Sequence, residues 1–157
     1  MEKLDLVVLS PGVPTDLPMV NAIRDKKIPI IGEIELAYQC AKGKILAITG
    51  TNGKTTATYL VKSVLESLGR KVGLIGTNQN MIGTEVIPSK HTTPDSLELM
   101  QLFSQMAEKG AEYVVMEVSS HSLALDRVTA CRFDVGAFTN ITQDHLDFHK
   151  TMQKKIS

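Results

Sequence analysis

The stretch Thr49-Gly50-Thr51-Asn52-Gly53-Lys54-Thr55-Thr56 decides the fold class of this chain. It directly follows an apolar run, residues 45–48, and precedes a segment with helical periodicity, residues 55–68. A strand, a glycine-bearing turn and a helix N-terminus form a cradle for phosphate, because glycines let backbone N–H groups approach an anion and the helix dipole adds positive charge. The lysine neutralises a phosphate, and the hydroxyl after it can hold Mg²⁺. The stretch therefore predicts a nucleoside triphosphate site formed by Gly50, Thr51, Asn52, Gly53, Lys54, Thr55 and Thr56.

The spacing of the two glycines narrows this match. The usual phosphate loop has four residues between its glycines, whereas only Thr51 and Asn52 separate Gly50 from Gly53. A shortened variant of this kind is more selective than the general pattern. The alternative is an ordinary glycine-rich turn between a strand and a helix.

Composition and charge exclude several classes of partner. The 157 residues are 43% hydrophobic and 22% charged, and the 17 basic and 17 acidic side chains give a net charge of zero. A neutral chain has no electrostatic footprint for nucleic acid or anionic lipid. No apolar run reaches membrane-spanning length, and the N-terminus lacks the apolar region of a signal peptide. We therefore expect a cytoplasmic protein with no nucleic acid and no membrane partner. In such a compartment Cys40 and Cys131 are expected to be reduced thiols, and a disulfide between them is the alternative.

Apolar runs alternate with helix-periodic segments along the chain, which predicts an α/β fold with a mostly parallel, doubly wound sheet. The expected strands are residues 6–9, 28–31, 45–49, 72–75, 113–118 and 133–138, and the expected helices are residues 16–26, 33–41, 55–68 and 95–109. Lys42-Gly43-Lys44 separates two blocks, so we predict domains at residues 1–43 and 44–157. Ligands of such sheets bind at the carboxyl ends of the strands.

Glu117 ends one of these apolar strands. A carboxylate in that position can bind Mg²⁺ beside a phosphate loop, directly or through water. The alternative is that Glu117 caps the next helix together with Ser119.

Two further polar clusters stand near strand ends or helix starts. Residues 139–149 contain two His and two Asp, with His145 and His149 spaced to share one face of a helix. This cluster alone suggests either a zinc site or a polar helix start with Asp144 near the N-cap. Residues 91–95, His-Thr-Thr-Pro-Asp, form a helix entry that presents two hydroxyls and an imidazole.

Four motifs in this order, at residues 49–56, 91–95, 116–121 and 139–149, resemble those of the Mur ligases. These are the ATP-dependent amino-acid ligases of peptidoglycan precursor synthesis. Residues 1–50 look like the D-glutamate-adding member, and residues 58–157 look like the member that adds diaminopimelate or lysine. The chain therefore resembles a fragment or a fusion of Mur ligases.

The resemblance implies a reaction and roles for individual residues. ATP phosphorylates the carboxylate of a UDP-MurNAc-peptide, and the amine of an amino acid then attacks the acyl phosphate to give an amide. The implied catalytic residues are Lys54, Glu117 and His145, with Thr55, Glu117 and His145 on Mg²⁺. The implied contacts to the UDP-MurNAc-peptide are Ser10, Pro11, Gly12, Thr92, Thr93, Ser119 and Arg127.

The resemblance also implies which parts of the family's architecture this chain holds. We expect part of a Rossmann-like UDP-binding domain followed by part of the central ATP-binding domain. The metal-bridging lysine and the C-terminal domain of the family are expected outside these residues. Two alternatives follow: a nucleotide-binding fragment without catalysis, and a ligase similar to folylpolyglutamate synthase.

Because the metal-bridging lysine and the C-terminal domain are expected outside these residues, we predict that the isolated 157-residue chain does not catalyse ligation. A coupled assay of ADP release, with UDP-MurNAc-dipeptide and candidate amino acids, measures this. Robust release that requires both substrates would contradict the expectation.

Overall fold

The computed structural model of the chain describes residues 4–9, 13–32, 43–129 and 131–142. Within these ranges the chain forms strands and helices in the order β1 (Val7–Leu9), α1 (Pro18–Asp25), β2 (Ile30–Gly32), β3 (Lys44–Thr49), α2 (Lys54–Ser67), β4 (Val72–Ile75), β5 (Asn80–Ile82), β6 (Glu85–Ile87), α3 (Ser96–Glu108), β7 (Tyr113–Glu117), α4 (Ser120–Ala124) and β8 (Val135–Phe138). None of the helices in this part of the chain is long and apolar enough to cross a membrane. The helix predicted at residues 33–41 lies outside the described residues.

The strands form two sheets. β1 and β2 pair in parallel, and the other strands form one sheet in the order β6-β5-β4-β7-β3-β8. In the larger sheet β4, β7, β3 and β8 run parallel, whereas β5 and β6 are added as an antiparallel hairpin. The predicted α/β fold with a mostly parallel sheet is confirmed, and the domain boundary at residue 43 stays a prediction.

The hairpin of β5 and β6 was not predicted from the sequence. Each of its strands is only three residues long, which is too short to show a periodic pattern. Its turn depends on Gly83, whose φ of 59° lies in the left-handed region that glycine tolerates. The backbone N–H of Gly83 donates to the carbonyl of Val72, which places this turn at the amino end of β4.

Two strands begin two residues later than the sequence predicted, in each case because of one residue at the start of the expected strand. The strand expected from residue 28 begins at Ile30, because Pro29 has no N–H to donate and offers only its carbonyl, which accepts from Val7. The strand expected from residue 133 begins at Val135. The Asp134 carboxylate accepts from the N–H of Ile45 at 2.8 Å, so a side chain takes the place of a backbone carbonyl there, while the Asp134 N–H donates to the Ile45 carbonyl at 2.9 Å.

The core lies on both faces of the larger sheet, as a doubly wound fold requires. On one face α3 packs Leu102, Phe103 and Met106 against alternate strand residues that include Ile45 and Val114. On the other face α2 packs against a separate set of strand residues, Ile48, Val72 and Val115. Neighbouring residues of β3 and β7 point to opposite faces, which is the two-residue period of a strand.

The register of the parallel strands brings their carboxyl ends to one edge of the sheet. Ile48 pairs with Glu117, Thr49 with Phe138, and Ile75 with Met116. The loops after β3, β4, β7 and β8 therefore start side by side. This edge is where the candidate site forms.

Cys131 is a free and buried thiol. Burial raises the pKa of this thiol to about 11, because the thiolate would lose its hydration. At neutral pH Cys131 is therefore protonated and acts as a small packing residue rather than a nucleophile.

The steric environments of two glycines give a test of the fold. A Cβ at Gly43 would lie 2.7 Å from the Glu112 backbone and 2.8 Å from the Ala111 carbonyl, whereas a Cβ at Gly136 would meet nothing within 4 Å. We expect Gly43→Ala to lower the free energy of unfolding by about 1–3 kcal/mol, because backbone atoms must shift. Gly136→Ala is the control and should leave it unchanged or raise it by about 0.4–1 kcal/mol. Urea unfolding followed by circular dichroism measures both, and equal effects would contradict the packing described here.

Candidate nucleotide and metal site

The loop between β3 and α2 has the geometry of a phosphate cradle. Its two glycines adopt positive φ angles, 127° at Gly50 and 82° at Gly53. Gly53 is the N-cap of α2, and no side chain of the described residues caps that helix end. The first N–H groups of a helix have no acceptor within the helix, so those of α2 are available to an anion.

The segment after β8 holds this loop in place. The Thr139 hydroxyl lies 2.6 Å from the Asn52 carbonyl, and the Asn140 carbonyl accepts from the Thr51 N–H at 3.0 Å. The Asn140 side chain bonds both to the N–H and to the carbonyl of Asn52, each at 3.0 Å. A Cβ on Gly50 would collide with the Thr139 hydroxyl and lie 2.8 Å from the Asn140 carbonyl, so glycine is required by this close approach. The loop is therefore clamped by a segment about ninety residues away in sequence.

Lys54 reaches back over the loop that precedes it. Its ammonium group donates to the carbonyls of Gly50, at 2.8 Å, and Thr51, at 3.2 Å. An ammonium group has three donors, so one remains for a ligand in the cavity that Lys54 lines.

Glu117 lies at the end of β7 and is only 1% exposed. Its carboxylate accepts from the Thr55 hydroxyl at 3.1 Å and from the Thr77 hydroxyl at 2.8 Å, both on Oε2. Oε1 accepts from the Thr77 backbone N–H at 3.0 Å. These bonds compensate the cost of burying a charged group.

The next helix is capped by Ser119, so the interpretation of Glu117 as a helix cap is wrong. The Ser119 hydroxyl accepts from the Ser122 N–H at 3.1 Å and caps α4. Thr93 braces the same corner: its hydroxyl donates to the Glu117 carbonyl and accepts from the Ser119 N–H, each at 3.0 Å. Thr93 is 2% exposed, so the structure gives it a bracing position at the base of the site.

The phosphate loop, Glu117, Thr93 and Ser119 all line one open cavity of about 620 Å³. Of the residues predicted from sequence, the structure brings together around it Thr51, Asn52, Gly53, Lys54, Thr55, Thr92, Thr93, Glu117, Ser119 and Arg127. Thr56 instead lines a neighbouring groove along α2, and Gly50 lines a small separate cavity beside Phe138. Ser10, Pro11, Gly12 and His145 lie outside the described residues, as does the suggested zinc pair of His145 and His149.

Four residues that line the cavity were assigned no role from the sequence: Thr77, Lys90, His91 and His121. His91 and His121 lie within the motifs at residues 91–95 and 116–121. Lys90 directly precedes the His-Thr-Thr-Pro motif, and that adjacency was the available signal. Thr77 has no local signal, because its role arises from contact with Glu117, forty residues further along the chain. The basic side chains of Lys54, Lys90 and Arg127 suit the cavity to a polyanionic ligand.

The fold and this cavity define an α/β protein of the phosphate-loop type. Residues 48–156 match the family model described as the Mur ligase middle domain. The chain belongs to the Mur ligase family. This confirms the resemblance drawn from the four sequence motifs.

The similar curated proteins are named as one kind of ligase. The chain is 51% identical over 157 residues to UDP-N-acetylmuramoyl-L-alanyl-D-glutamate–2,6-diaminopimelate ligase 1 of Clostridium acetobutylicum, an alignment that covers 98% of this chain and 33% of that protein. It is 60% identical over 114 residues to the corresponding ligase of Caldanaerobacter subterraneus subsp. tengcongensis, covering 73% of this chain and 24% of the relative. The first relative aligns with both blocks of the chain, so a single kind of ligase accounts for residues 1–50 as well as for the rest. The chain spans about a third or less of the length of these relatives.

Solved structures show the same fold. A UDP-N-acetylmuramoyl-L-alanyl-D-glutamate–2,6-diaminopimelate ligase superposes with a TM-score of 0.67 at 24% identity, covering 96% of this chain and 36% of that chain. E. coli FolC in complex with DHPP and ADP superposes with a TM-score of 0.60 at 20% identity, covering 79% of this chain and 36% of its own. At these identities the likeness is one of fold.

The clamp on the phosphate loop gives a prediction. Thr139→Ala removes the hydroxyl that bonds the Asn52 carbonyl, so we expect the free energy of unfolding to fall by about 0.5–1.5 kcal/mol. We also expect the affinity for Mg·ATP to fall about three- to tenfold, because the loop must then be ordered on binding. Thr84→Ala, on the exposed turn at the amino end of β4, is the control. Urea unfolding measures the stability of both variants, and calorimetric titration measures their affinity for Mg·ATP. If Thr139→Ala and Thr84→Ala bound Mg·ATP equally well, the clamp would not preorganise the loop.

Proposed function

We propose that this chain is the nucleotide-binding part of an ATP-dependent ligase that adds diaminopimelate to a UDP-MurNAc-dipeptide in peptidoglycan precursor synthesis. The observation that carries the proposal is the single cavity in which the phosphate loop, Glu117 and the side chains of Thr92, Ser119 and Arg127 meet. The names of the close relatives supply the substrate class and the amino acid. The whole protein works in the cytoplasm, in line with the soluble substrates of this reaction.

The phosphate loop is proposed to bind the phosphates of ATP. The N–H groups at the start of α2 face the cavity with the positive end of the helix dipole, which stabilises bound phosphate oxygens. Lys54 adds a full positive charge at the same place. Gly53 allows the close approach, because a side chain at its φ of 82° would be strained.

Mg²⁺ is proposed to bind between Thr55 and Glu117. Their oxygens lie 3.1 Å apart, and two oxygens in adjacent positions on one Mg²⁺, each about 2.1 Å from the ion, lie about 3.0 Å apart. Hydroxyl and carboxylate oxygens are ligands that Mg²⁺ prefers. The pair therefore fits the ion, which when bound would neutralise charge on the transferring phosphoryl group. His145 stays a proposed ligand of a second Mg²⁺ from the family resemblance alone.

The other wall of the cavity is proposed to bind the UDP-MurNAc-peptide. Thr92 and Ser119 offer hydroxyl groups, and Arg127 offers a guanidinium that suits carboxylate or phosphate. These groups line the same cavity as the phosphate loop, so a peptide carboxylate held by them would lie close to the bound phosphates. Thr93 remains a predicted contact, with its bracing bonds as the better-supported role. Ser10, Pro11 and Gly12 remain proposed contacts to the uridine diphosphate.

Within this proposal the chain acts by positioning and by charge. Lys54 offsets negative charge on the phosphoryl group, and Arg127 holds the acceptor carboxylate close to it. The amine that completes the amide is supplied by the amino acid. The similarity to FolC is one of fold, and the closer relatives favour the peptidoglycan ligase over a folylpolyglutamate synthase.

Nucleotide binding tests the proposal. We expect Lys54→Ala to weaken binding of Mg·ATP at least tenfold, because charge-assisted contacts to phosphate are lost. Lys71→Ala makes the same charge change at an exposed position before β4 and should bind as the original protein does. Isothermal titration calorimetry measures all three proteins. If the unaltered chain showed no binding, the proposed nucleotide site would be wrong.

A further inference from the structure

Thr77 follows β4 and was assigned no role from the sequence, yet it makes two hydrogen bonds to the carboxylate of Glu117. Its backbone N–H donates to Oε1 at 3.0 Å, and its hydroxyl lies 2.8 Å from Oε2. Both oxygens of the carboxylate are thus held by one residue. A two-point attachment fixes the rotation of the carboxylate plane as well as its position.

The bonds to Glu117 leave room for one metal ion. An ionised carboxylate has about four lone-pair sites. Thr77 uses two of them and the Thr55 hydroxyl uses a third, on Oε2. Metal binding that turned Thr55 from Glu117 onto the ion would release that third site, while Thr77 would still hold both oxygens. Thr77 is therefore the partner that keeps Glu117 in place in either state.

The corner that carries Thr77 is itself fixed. The N–H of Gly76 donates to the Asn80 side chain at 3.3 Å, and Asn80 is fully buried. A Cβ on Gly76 would lie 2.5 Å from Oε1 of Glu117, so the backbone runs directly against the carboxylate. A shift of this corner towards Glu117 would therefore displace the carboxylate.

Thr77 also contacts Thr92, one of the side chains proposed to bind the UDP-MurNAc-peptide. Its hydroxyl lies 3.0 Å from the hydroxyl of Thr92. A hydroxyl has one proton, and the carboxylate is the stronger acceptor, so Thr77 donates to Glu117 and accepts from Thr92. A chain of two hydrogen bonds then connects Thr92 through Thr77 to Glu117.

We propose that Thr77 is a positioning residue that orients the Glu117 carboxylate for Mg²⁺ and links the metal site to Thr92 on the proposed substrate wall. This inference rests on the proposed nucleotide and metal site. It adds a requirement for one hydroxyl: without it Oε2 loses its shortest bond, the carboxylate plane can rotate, and Thr92 loses its acceptor. The effect should appear in metal-dependent binding rather than in binding of the nucleotide alone.

The test compares Thr77→Val, which removes the hydroxyl and keeps the shape, with Thr77→Ser, which keeps the hydroxyl. The affinity for ATP is measured by calorimetry in Mg²⁺ and again in EDTA, and thermal unfolding checks that each variant folds. We expect Thr77→Val to weaken ATP binding roughly tenfold in Mg²⁺ and by less than twofold in EDTA, because the lost bond is made to a charged group that holds the metal. Thr77→Ser should restore the affinity in Mg²⁺ to within about threefold of the original. Thr84→Val is the control and should change neither value.

Several outcomes would overturn the inference. These are an unchanged affinity of Thr77→Val in Mg²⁺, a loss of equal size in Mg²⁺ and EDTA, and a failure of Thr77→Ser to restore binding. Each of them leaves the proposed nucleotide site standing if the unaltered chain binds Mg·ATP. Absence of binding by the unaltered chain would overturn the nucleotide site and the role of Thr77 together.

Discussion

The buried carboxylate of Glu117 is the group on which the rest of the site depends. Removing an ionised carboxylate from water is costly unless hydrogen bonds or a cation replace its hydration. At 1% exposure, Glu117 obtains that replacement from Thr55 on one neighbouring element and Thr77 on another. The carboxylate thereby ties the start of α2 and the end of β4 to the end of β7. The group proposed to bind Mg²⁺ therefore also holds three elements together at the edge of the sheet.

The parallel register makes this arrangement possible. Each strand delivers one component at its carboxyl end: the phosphate loop after Thr49, the corner at Thr77, the carboxylate of Glu117 and the clamp that begins at Thr139. A shift of one residue in any pairing would turn every side chain of that strand to the other face. The buried apolar residues on both faces fix the register, so the core determines the geometry of the site.

The sequence predicted those features whose cause is local. The phosphate loop could be recognised because its glycines, lysine and threonine act within one turn of chain, and the long strands and helices because their periodicity is strong. The hairpin of β5 and β6 escaped because three-residue strands have no readable period. The roles of Thr77 and Asn140 could not be predicted, because their partners lie forty and eighty-eight residues away in sequence and only the folded chain brings them together.

The charges of the site explain why nucleotide and metal should bind together. A fixed carboxylate beside a phosphate cradle repels the anion that the cradle is built to hold, and low polarity around a buried charge strengthens that repulsion. The ammonium group of Lys54 donates to the loop carbonyls of Gly50 and Thr51, so part of its hydrogen-bonding capacity is already used by the loop. A divalent cation bound between Glu117 and the phosphates, as proposed, would turn the repulsion into attraction. Tight binding of a nucleoside triphosphate without Mg²⁺ is therefore not expected of this geometry.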